Sequence, residues 1–218
     1  MNTGVSGSDY QAAVSHLAAV DAEMARLIEQ VGPCLHEAKP AREPYEALIR
    51  AVAYQQLHVR AGDAMLARLL ALFPGQPFPG AEQVLLIAPD TLRACGFSGR
   101  KIETLHAIAA GVISGLVPSL DEAQTLDDEA LVARLTSLRG IGRWTVEMLL
   151  IYTLQRPDIL PVDDFGVREG YRFIKALERA PTPKQLQAMA EAWSPFRTVA
   201  AWYLWRVPAL PHYRKPGR

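Results

Sequence analysis

Cysteine is scarce in this chain of 218 residues: Cys34 and Cys95 are its only two, and no C-x-x-C pair or Cys/His cluster occurs. The sequence therefore contains neither a disulfide framework nor the usual pattern of a zinc site. Net charge is absent too, because 23 Lys and Arg balance 23 Asp and Glu. No global basic field attracts a polyanion, so any affinity for nucleic acid must come from the local placement of charged groups.

Signals for export or membrane insertion are missing as well. The first ten residues, MNTGVSGSDY, lack the basic start and the apolar core of a signal peptide. No apolar run approaches the roughly 20 residues that span a bilayer. We therefore expect a cytoplasmic protein that has no membrane partner.

The alternation of β-branched residues that is typical of strands is also missing, and helical spacing of apolar residues dominates. One helix is predicted from Ser8 or Asp9 to Gln30. The chain is long enough to bury a good core, in one domain or in two small lobes. The predicted fold class is all-α.

What the chain does contain is a glycine hairpin between two predicted helices, at residues 138–142 (LRGIG). Gly140 and Gly142 permit left-handed or strained backbone and leave no side chain between the amides and a partner. Amides at the start of the next helix, with the positive end of its dipole, form an anion site. A DNA phosphate is the natural anion, and Arg139 and Arg143 flank the site.

Paired carboxylates, Asp163 and Asp164, follow this hairpin in the sequence. A helix from Arg143 to Gln155 would run about 20 Å away from the hairpin. The following stretch to the carboxylates contains two prolines and spans roughly 23 Å when extended, which returns the chain to the level of Trp144. We therefore expect a carboxylate, an indole and a phosphate-binding hairpin to share one cleft.

Two further basic residues, Arg100 and Lys101, lie near the start of another helix, which Ser98 is predicted to cap. Such a pair indicates either a contact with a phosphate or, more commonly, a solvated surface.

The hairpin stretch resembles the signature of the helix-hairpin-helix (HhH-GPD) superfamily of DNA glycosylases, and within it the alkylbase branch, 3-methyladenine DNA glycosylase II. The matching residues are the run LRGIGRWT at 138–145 and Asp164, which is twenty residues after Trp144. The resemblance covers roughly residues 45 to 206. Its other motifs are Gln55-Gln56-Leu57, Gly96 to Lys101, Trp193 to Arg197 and Trp202 to Trp205.

This resemblance implies two helical lobes with a DNA-binding cleft between them. One lobe is discontinuous and comprises residues 1–40 and 163–218. The other comprises residues 41–162 and carries the helix-hairpin-helix at about 128–155. No N-terminal β-domain and no cofactor are implied, since the cysteine cluster of the iron–sulfur members is missing. No metal is required, although the carbonyls of residues 138–142 match those that bind a monovalent cation in the superfamily.

Asp164 takes the catalytic position in this alignment, and Asp163 would then cap the helix or hold the loop. A fixed carboxylate lowers the barrier to N-glycosidic hydrolysis, because the sugar acquires oxocarbenium character. The alternative is that both carboxylates only cap. Trp144 stands where strand-cleaving members carry a Schiff-base lysine, which implies a monofunctional enzyme that leaves an abasic site.

An indole also suits N-alkylated purines, which are cationic and stack on electron-rich rings. Leu57 matches the apolar residue that fills the gap left by an extruded nucleotide, with His58 as the alternative; a core position is the other interpretation of Leu57. The implied base pocket consists of Trp144, Trp205, Tyr54 and Met148. The implied DNA-binding residues are Gln56, Leu57, His58, Arg139, Gly140, Gly142, Arg143 and Thr145.

The predicted function is a monofunctional DNA glycosylase of base excision repair. It would flip alkylated purines, of the 3-methyladenine and 7-methylguanine type, out of double-stranded DNA and hydrolyse their bond to the sugar. The predicted partner is double-stranded DNA with damaged bases, and the protein is expected to be a monomer, associated with the nucleoid if bacterial. One alternative is a non-catalytic helix-hairpin-helix module, which would have no use for Asp164 near phosphates. The other is a glycosylase for different damaged bases, such as oxidised purines.

Overall fold

The computed structural model describes residues 7–36, 42–57 and 59–214. No strand occurs in these ranges, so the all-α prediction is confirmed. None of the helices in this part of the chain has the length and apolarity needed to span a membrane. The α-helices are α1 (Gly7–Val20), α2 (Ala22–Val31), α3 (Pro44–Tyr54), α4 (Val59–Ala71), α5 (Ala81–Leu85), α6 (Pro89–Ala94), α7 (Gly99–Ile113), α8 (Leu120–Thr125), α9 (Asp128–Thr136), α10 (Arg143–Tyr152), α11 (Phe165–Ile174), α12 (Pro183–Met189) and α13 (Arg197–Leu204).

The chain divides into two compact units. The first unit comprises Met1–Ala38 and Gln155–Arg218, and the second comprises Lys39–Leu154. The sequence-based boundary lay after Val162, whereas the structure divides the chain after Leu154. The eight residues in question therefore belong to the first unit rather than to the central lobe.

Hydrogen bonds to α13 explain why this segment belongs to the first unit. The Thr198 hydroxyl donates to Arg156 O at 2.7 Å and accepts from Ile159 N at 3.0 Å. The Asp158 carboxylate accepts from Arg197 Nε at 2.7 Å and from Arg197 Nη2 at 2.8 Å. These partners lie about forty residues further along the chain, which is why the local pattern around the prolines does not reveal them.

The core of the first unit is built from α1, α2, α11 and α13. Trp193 and Tyr203 are its largest fully buried side chains, and Leu17, Met24 and Val167 pack in the same cluster. Complete burial of a large apolar side chain stabilises a fold by about 1.5–3 kcal/mol, so this cluster is sufficient to hold the two distant chain segments together.

The single helix predicted to extend to Gln30 is in fact two helices, α1 and α2. Asp21 interrupts it in extended backbone, with φ −146°, and its Oδ1 accepts from Glu23 N at 3.1 Å and Met24 N at 3.0 Å. A short acidic side chain competes with the helical backbone for these amides. Asp21 is therefore the N-cap of α2 rather than an interior helix residue.

The second unit is organised around α7, which packs against α3, α5 and α6, while α10 packs against α3 and α9. Ser98 caps α7 as predicted, accepting from Lys101 N at 3.4 Å. The buried apolar side chains of these helices form the core; they include Leu48, Ile49 and Val52 on α3, Leu105 and Ile108 on α7, Leu131 and Leu135 on α9, and Val146 and Leu150 on α10.

Candidate active site

The predicted hairpin is a tight turn between α9 and α10. Ile141 N donates to Leu138 O at 3.1 Å, and Gly140, at the third position of this turn, has φ +83°. That position of a type II turn favours glycine. A Cβ on Gly140 would also lie 2.0 Å from the Thr104 hydroxyl oxygen, so both conformation and space require glycine there.

Gly142 has a different role from Gly140. Its backbone is extended, with φ −97° and ψ 168°, and a Cβ there would meet no atom within 4 Å. The left-handed freedom expected of both glycines is therefore used only at Gly140. What Gly142 provides is an N-cap without a side-chain acceptor at the start of α10, which suits an approaching anion.

The carbonyls of residues 138–142 were predicted to be able to bind a monovalent cation. Leu138 O accepts from Ile141 N, and Gly140 O lies 3.5 Å from Gln55 Nε2. A carbonyl oxygen has two lone pairs, so one hydrogen bond does not exhaust it. The cation site at residues 138–142 stays a prediction.

Three polar residues predicted to bind DNA have protein partners in the second unit. Arg139, exposed, pairs with Glu103 at 2.8 Å. Arg143 pairs with Glu129, and its Nε donates to Glu147 at 3.1 Å; the hydrogen bond to Glu129 raises the pKa of Arg143. Arg139 and Arg143 are thus balanced by carboxylates.

Thr145, the third of these residues, is only 2% exposed, and its hydroxyl accepts from Gln55 Nε2 at 3.1 Å. The DNA contact predicted for its side chain is therefore replaced by a structural contact, because a buried hydroxyl does not reach a phosphate.

The turn after α3 carries the predicted wedge. Gln56 has φ +58°, an uncommon conformation for a residue other than glycine, and both Gln56 and Leu57 are exposed. Leu57 is 43% exposed, which is unusual for a leucine and argues against the core interpretation. His58, the alternative wedge, lies outside the described residues.

Tyr54, at the end of α3, is fixed by α4. Its hydroxyl donates to Asp63 Oδ1 at 2.6 Å, and burial together with this bond raises its pKa. The Tyr54 ring occupies the space over Gly62, since a Cβ on that glycine would lie 2.2 Å from Tyr54 Cδ1. The other pocket candidates of this unit, Trp144 and Met148, lie one turn apart on α10 and are half-buried.

Asp164 is the N-cap of α11, whereas the sequence analysis expected Asp163 to cap the helix or hold the loop. Asp164 Oδ1 accepts from Val167 N at 2.9 Å and from Trp205 Nε1, also at 2.9 Å. Asp164 and Trp205 are half-buried, whereas Asp163 is exposed. A backbone amide and an indole therefore fix one carboxylate oxygen in place, which is the geometry needed for a carboxylate that acts on a bound group.

Gly166 makes room for this arrangement. A Cβ there would lie 3.0 Å from Trp205 Cδ1 and 3.1 Å from Asp164 Oδ1. Gly166 was not predicted from the sequence, although a glycine in the first turn of a helix, where alanine has the better propensity, is a usable signal.

Two further features were not predicted from the sequence: Phe165, which is 66% exposed beside Asp164, and the pair Gly62 and Asp63. The sequence around Gly62 and Asp63 does not reveal their role, because that role depends on the Tyr54 ring, which comes from the preceding helix. Among the described residues, no group of three or more His, Cys, Asp or Glu is arranged to hold a metal ion.

The chain is similar to known proteins in both sequence and fold. Residues 49–195 match the family described as HhH-GPD superfamily base excision DNA repair protein. DNA-3-methyladenine glycosylase 1 of Schizosaccharomyces pombe is 46% identical over 204 residues, which are 93% of this chain and 90% of that protein. The alkylbase DNA glycosidase-like protein mag2 of the same organism is 33% identical and covers 93% and 96% of the two chains. The solved structure of the S. pombe 3-methyladenine DNA glycosylase Mag1 with abasic DNA superposes with a TM-score of 0.89 at 45% identity, covering 93% of this chain and 99% of that one.

Proposed function

We propose a DNA glycosylase activity for this chain, which belongs to the HhH-GPD superfamily of base excision DNA repair proteins. Its substrates are alkylated purines, of the 3-methyladenine and 7-methylguanine type, in double-stranded DNA. Relatives named for 3-methyladenine support this specificity, since one of them is 46% identical over nearly the whole chain. We further propose that the protein is cytoplasmic and, if it is bacterial, associated with the nucleoid.

The fixed carboxylate of Asp164 is the observation that carries the proposal. As the bond from the base to C1′ lengthens, positive charge develops on the sugar, and a carboxylate held close to it lowers the barrier. The Val167 amide and the Trp205 indole both donate to Asp164 Oδ1, so the group is positioned before the reaction begins. In this proposal Asp164 stabilises the cationic sugar and orients the attacking water.

The absence of a lysine at position 144 supports a monofunctional reaction. A strand-cleaving glycosylase needs an amine that attacks the sugar to form a Schiff base. Trp144 offers an indole instead, which stacks on a cationic N-alkylated base. We expect Met148, one helical turn further, and Tyr54, held by Asp63, to contribute to base preference from the same unit.

DNA binding is assigned to the second unit. The hairpin with Gly140 and Gly142 presents the start of α10 to a phosphate, which fixes register without reading sequence. Leu57 fills the gap left by the extruded nucleotide. Arg139 and Arg143 add positive charge near the hairpin, although each is paired with a carboxylate.

The test is base release from duplex DNA that carries methylated purines. Wild type should release the methylated base and leave an intact strand with an abasic site. Asp164→Asn keeps an oxygen that can cap α11 but removes the charge, so the rate should fall by about 10²–10³-fold while DNA binding persists.

Asp163→Asn is the matched control, since it changes the adjacent exposed carboxylate. It should release base at nearly the wild-type rate. An inactive Asp163→Asn beside an active Asp164→Asn would reverse the assignment within the pair. A wild-type protein that binds the duplex but releases no base would instead support the non-catalytic module.

A further inference from the structure

The end of α3 has an unusual cap. An α-helix leaves its last carbonyls without partners inside the helix, and these need other donors. The carbonyl of Tyr54 accepts from Leu57 N at 3.1 Å, within the turn. The carbonyls of Ala53 and Gln55 both accept from Lys101 Nζ, each at 3.0 Å. A single ammonium from α7 thus completes the end of α3 and the turn that follows it.

This ammonium contacts the turn at its strained position. Gln56 has φ +58°, a left-handed conformation that is unfavourable for a residue with a Cβ. The Gln55 carbonyl belongs to the peptide group that joins Gln55 to Gln56, so Lys101 fixes the plane of that peptide. Leu57 is the next residue along, and its direction depends on this plane.

Lys101 occupies its position against two opposing effects. It lies in the first turn of α7, where the helix dipole disfavours a cation. Burial lowers the pKa of Lys101, because an ammonium loses water there. The carboxyl end of α3 favours a cation and offsets these effects. A lysine on a solvated surface would keep its ammonium in water, and the neighbouring Arg100 is exposed in this way.

The same part of α7 also supports the hairpin. Thr104, one turn after Lys101, lies directly against Gly140, and Glu103 pairs with Arg139 at 2.8 Å. A second link runs between the two sites, since Gln55 Nε2 donates to Thr145 at 3.1 Å. The phosphate-binding hairpin and the turn with Leu57 are therefore held on one helix.

We propose that Lys101 is a positioning residue for DNA distortion: it holds the Leu57 turn at a fixed distance from the phosphate-binding hairpin. This inference rests on the proposed function, in which Leu57 enters the duplex. When the hairpin binds its phosphate, the rigid turn aims Leu57 at one base step. Extruding a nucleotide requires free energy to unstack and unpair it, so a turn that moves when Leu57 enters the duplex would reduce insertion. Nonspecific binding would be retained.

The test compares Lys101→Met with Arg100→Met, because both remove one positive charge from the first turn of α7. In the protein without DNA, hydrogen exchange of the amides at residues 55–57 should be about tenfold faster in Lys101→Met and unchanged in Arg100→Met. The second measurement uses a duplex that carries a tetrahydrofuran abasic site with 2-aminopurine opposite it. Lys101→Met should lose most of the rise in 2-aminopurine fluorescence that insertion of Leu57 produces. Leu57→Ala gives the 2-aminopurine fluorescence that is expected when no wedge enters the duplex.

Base release should fall by about tenfold in Lys101→Met, while its affinity for undamaged duplex matches that of Arg100→Met. Lys101→Arg, which keeps a cationic donor, should recover most of the fluorescence rise and most of the base release. If Lys101→Met does not fold, Lys101→Gln is measured in the same way.

Two results would overturn the proposal. The first is that Lys101→Met and Arg100→Met show the same hydrogen exchange at residues 55–57 and the same rise in 2-aminopurine fluorescence. The second is a larger loss of undamaged-duplex affinity in Lys101→Met with a shallower salt dependence, which would make Lys101 a phosphate contact. A wild type that releases no base would refute the proposed function, whereas the exchange measurement would still decide whether Lys101 holds the turn.

Discussion

Two helices of the first unit begin in the same way. Asp21 caps α2 by accepting two backbone amides of the first turn, and Asp164 caps α11 by accepting one. Each carboxylate also accepts an indole N–H, from Trp193 and Trp205 respectively, at 2.9 Å in both cases. The local motif is therefore the same, a capping aspartate braced by a tryptophan.

The surroundings of the two carboxylates differ. The Asp21 side chain is 8% exposed and pairs with Lys175 at 2.7 Å, and Trp193 is only 1% exposed. Asp164 and Trp205 are half-buried. Where the motif lies in the core beside an ammonium, it stabilises the fold. Where it lies nearer the surface, a ligand can approach it, so burial rather than local sequence separates the structural aspartate from the catalytic candidate.

The largest effect on stability is expected from Asp21→Asn. The amide can still cap α2, but Lys175 loses its buried ionic partner and keeps only the more exposed Glu23, at 2.9 Å. The free energy of unfolding at pH 7 should fall by about 2 kcal/mol, less than for a fully buried pair because Lys175 is partly exposed. Urea unfolding measures this loss, and base release per folded molecule should not change.

The pH dependence of the free energy of unfolding tests whether the Asp21 charge causes that loss. Burial raises the pKa of Asp21, but hydrogen bonds from Lys175, Met24 N and Trp193 outweigh it, and the pKa lies below the ordinary 3.8. A folded-state pKa below the unfolded one gives stability that is present above pH 3.8 and is lost as the pH falls through the folded value. The deficit of Asp21→Asn should therefore vanish in acid. A deficit that is equal at neutral and acid pH would assign the loss to packing.

Trp205→Phe is expected to produce the next largest effect, this time on rate. Phenylalanine keeps a ring but removes the N–H that fixes Asp164 Oδ1. A hydrogen bond to a charged group contributes about 1.5–3 kcal/mol, so the single-turnover rate should fall by about thirtyfold with little change in affinity for abasic DNA. Trp193→Phe is the counterpart and should reduce stability instead. If Trp205→Phe retains the wild-type rate, Trp205 is only a pocket wall.

Gly166→Ala should have a smaller effect on the same site. The added methyl would press on both Trp205 and Asp164 and shift them by a few tenths of an ångström. We expect the single-turnover rate to fall by about tenfold, because small displacements of a catalytic group are costly. Gly99→Ala is the control: it changes another glycine in the first turn of a helix, where a Cβ meets nothing within 4 Å. Equal rates in the two variants would show that the space over Gly166 is not required.

The parts of the site that the sequence predicted depend on neighbours along the chain. The hairpin with Gly140 and the helix that starts beside Asp164 follow from turn and capping rules, which act over three or four residues. The all-α class follows in the same way from the spacing of apolar residues.

The parts that the sequence did not predict depend on distant partners. The Asp21 cap that separates α1 from α2 is local, but Lys175 and Trp193, which bind its carboxylate, lie 154 and 172 residues away. Lys101 has the pattern of a solvated or phosphate-binding residue, yet it binds carbonyls more than forty residues earlier. No local rule brings these groups together, because packing of the whole unit decides which side chains meet.

The start of α10 can be compared with the starts of α2 and α11, and changing it is expected to have the smallest effect. α10 begins after Gly142, whose extended backbone and open surroundings accept a side chain, yet it has no capping side chain. Gly142→Asp would give α10 the kind of cap that α2 and α11 have. Added capping should raise the free energy of unfolding by a few tenths of a kcal/mol.

The same carboxylate would repel a phosphate at the start of α10, so affinity for duplex DNA should fall by about fivefold at low salt. Gly142→Asn, a neutral cap, should stabilise α10 similarly and weaken binding less. Thermal unfolding and fluorescence anisotropy measure the two effects. If Gly142→Asp binds DNA as tightly as Gly142→Asn, no phosphate lies at this helix start. A gain in stability together with a loss of affinity would show that the missing cap on α10 serves DNA binding, as we propose that the cap on α11 serves the reaction.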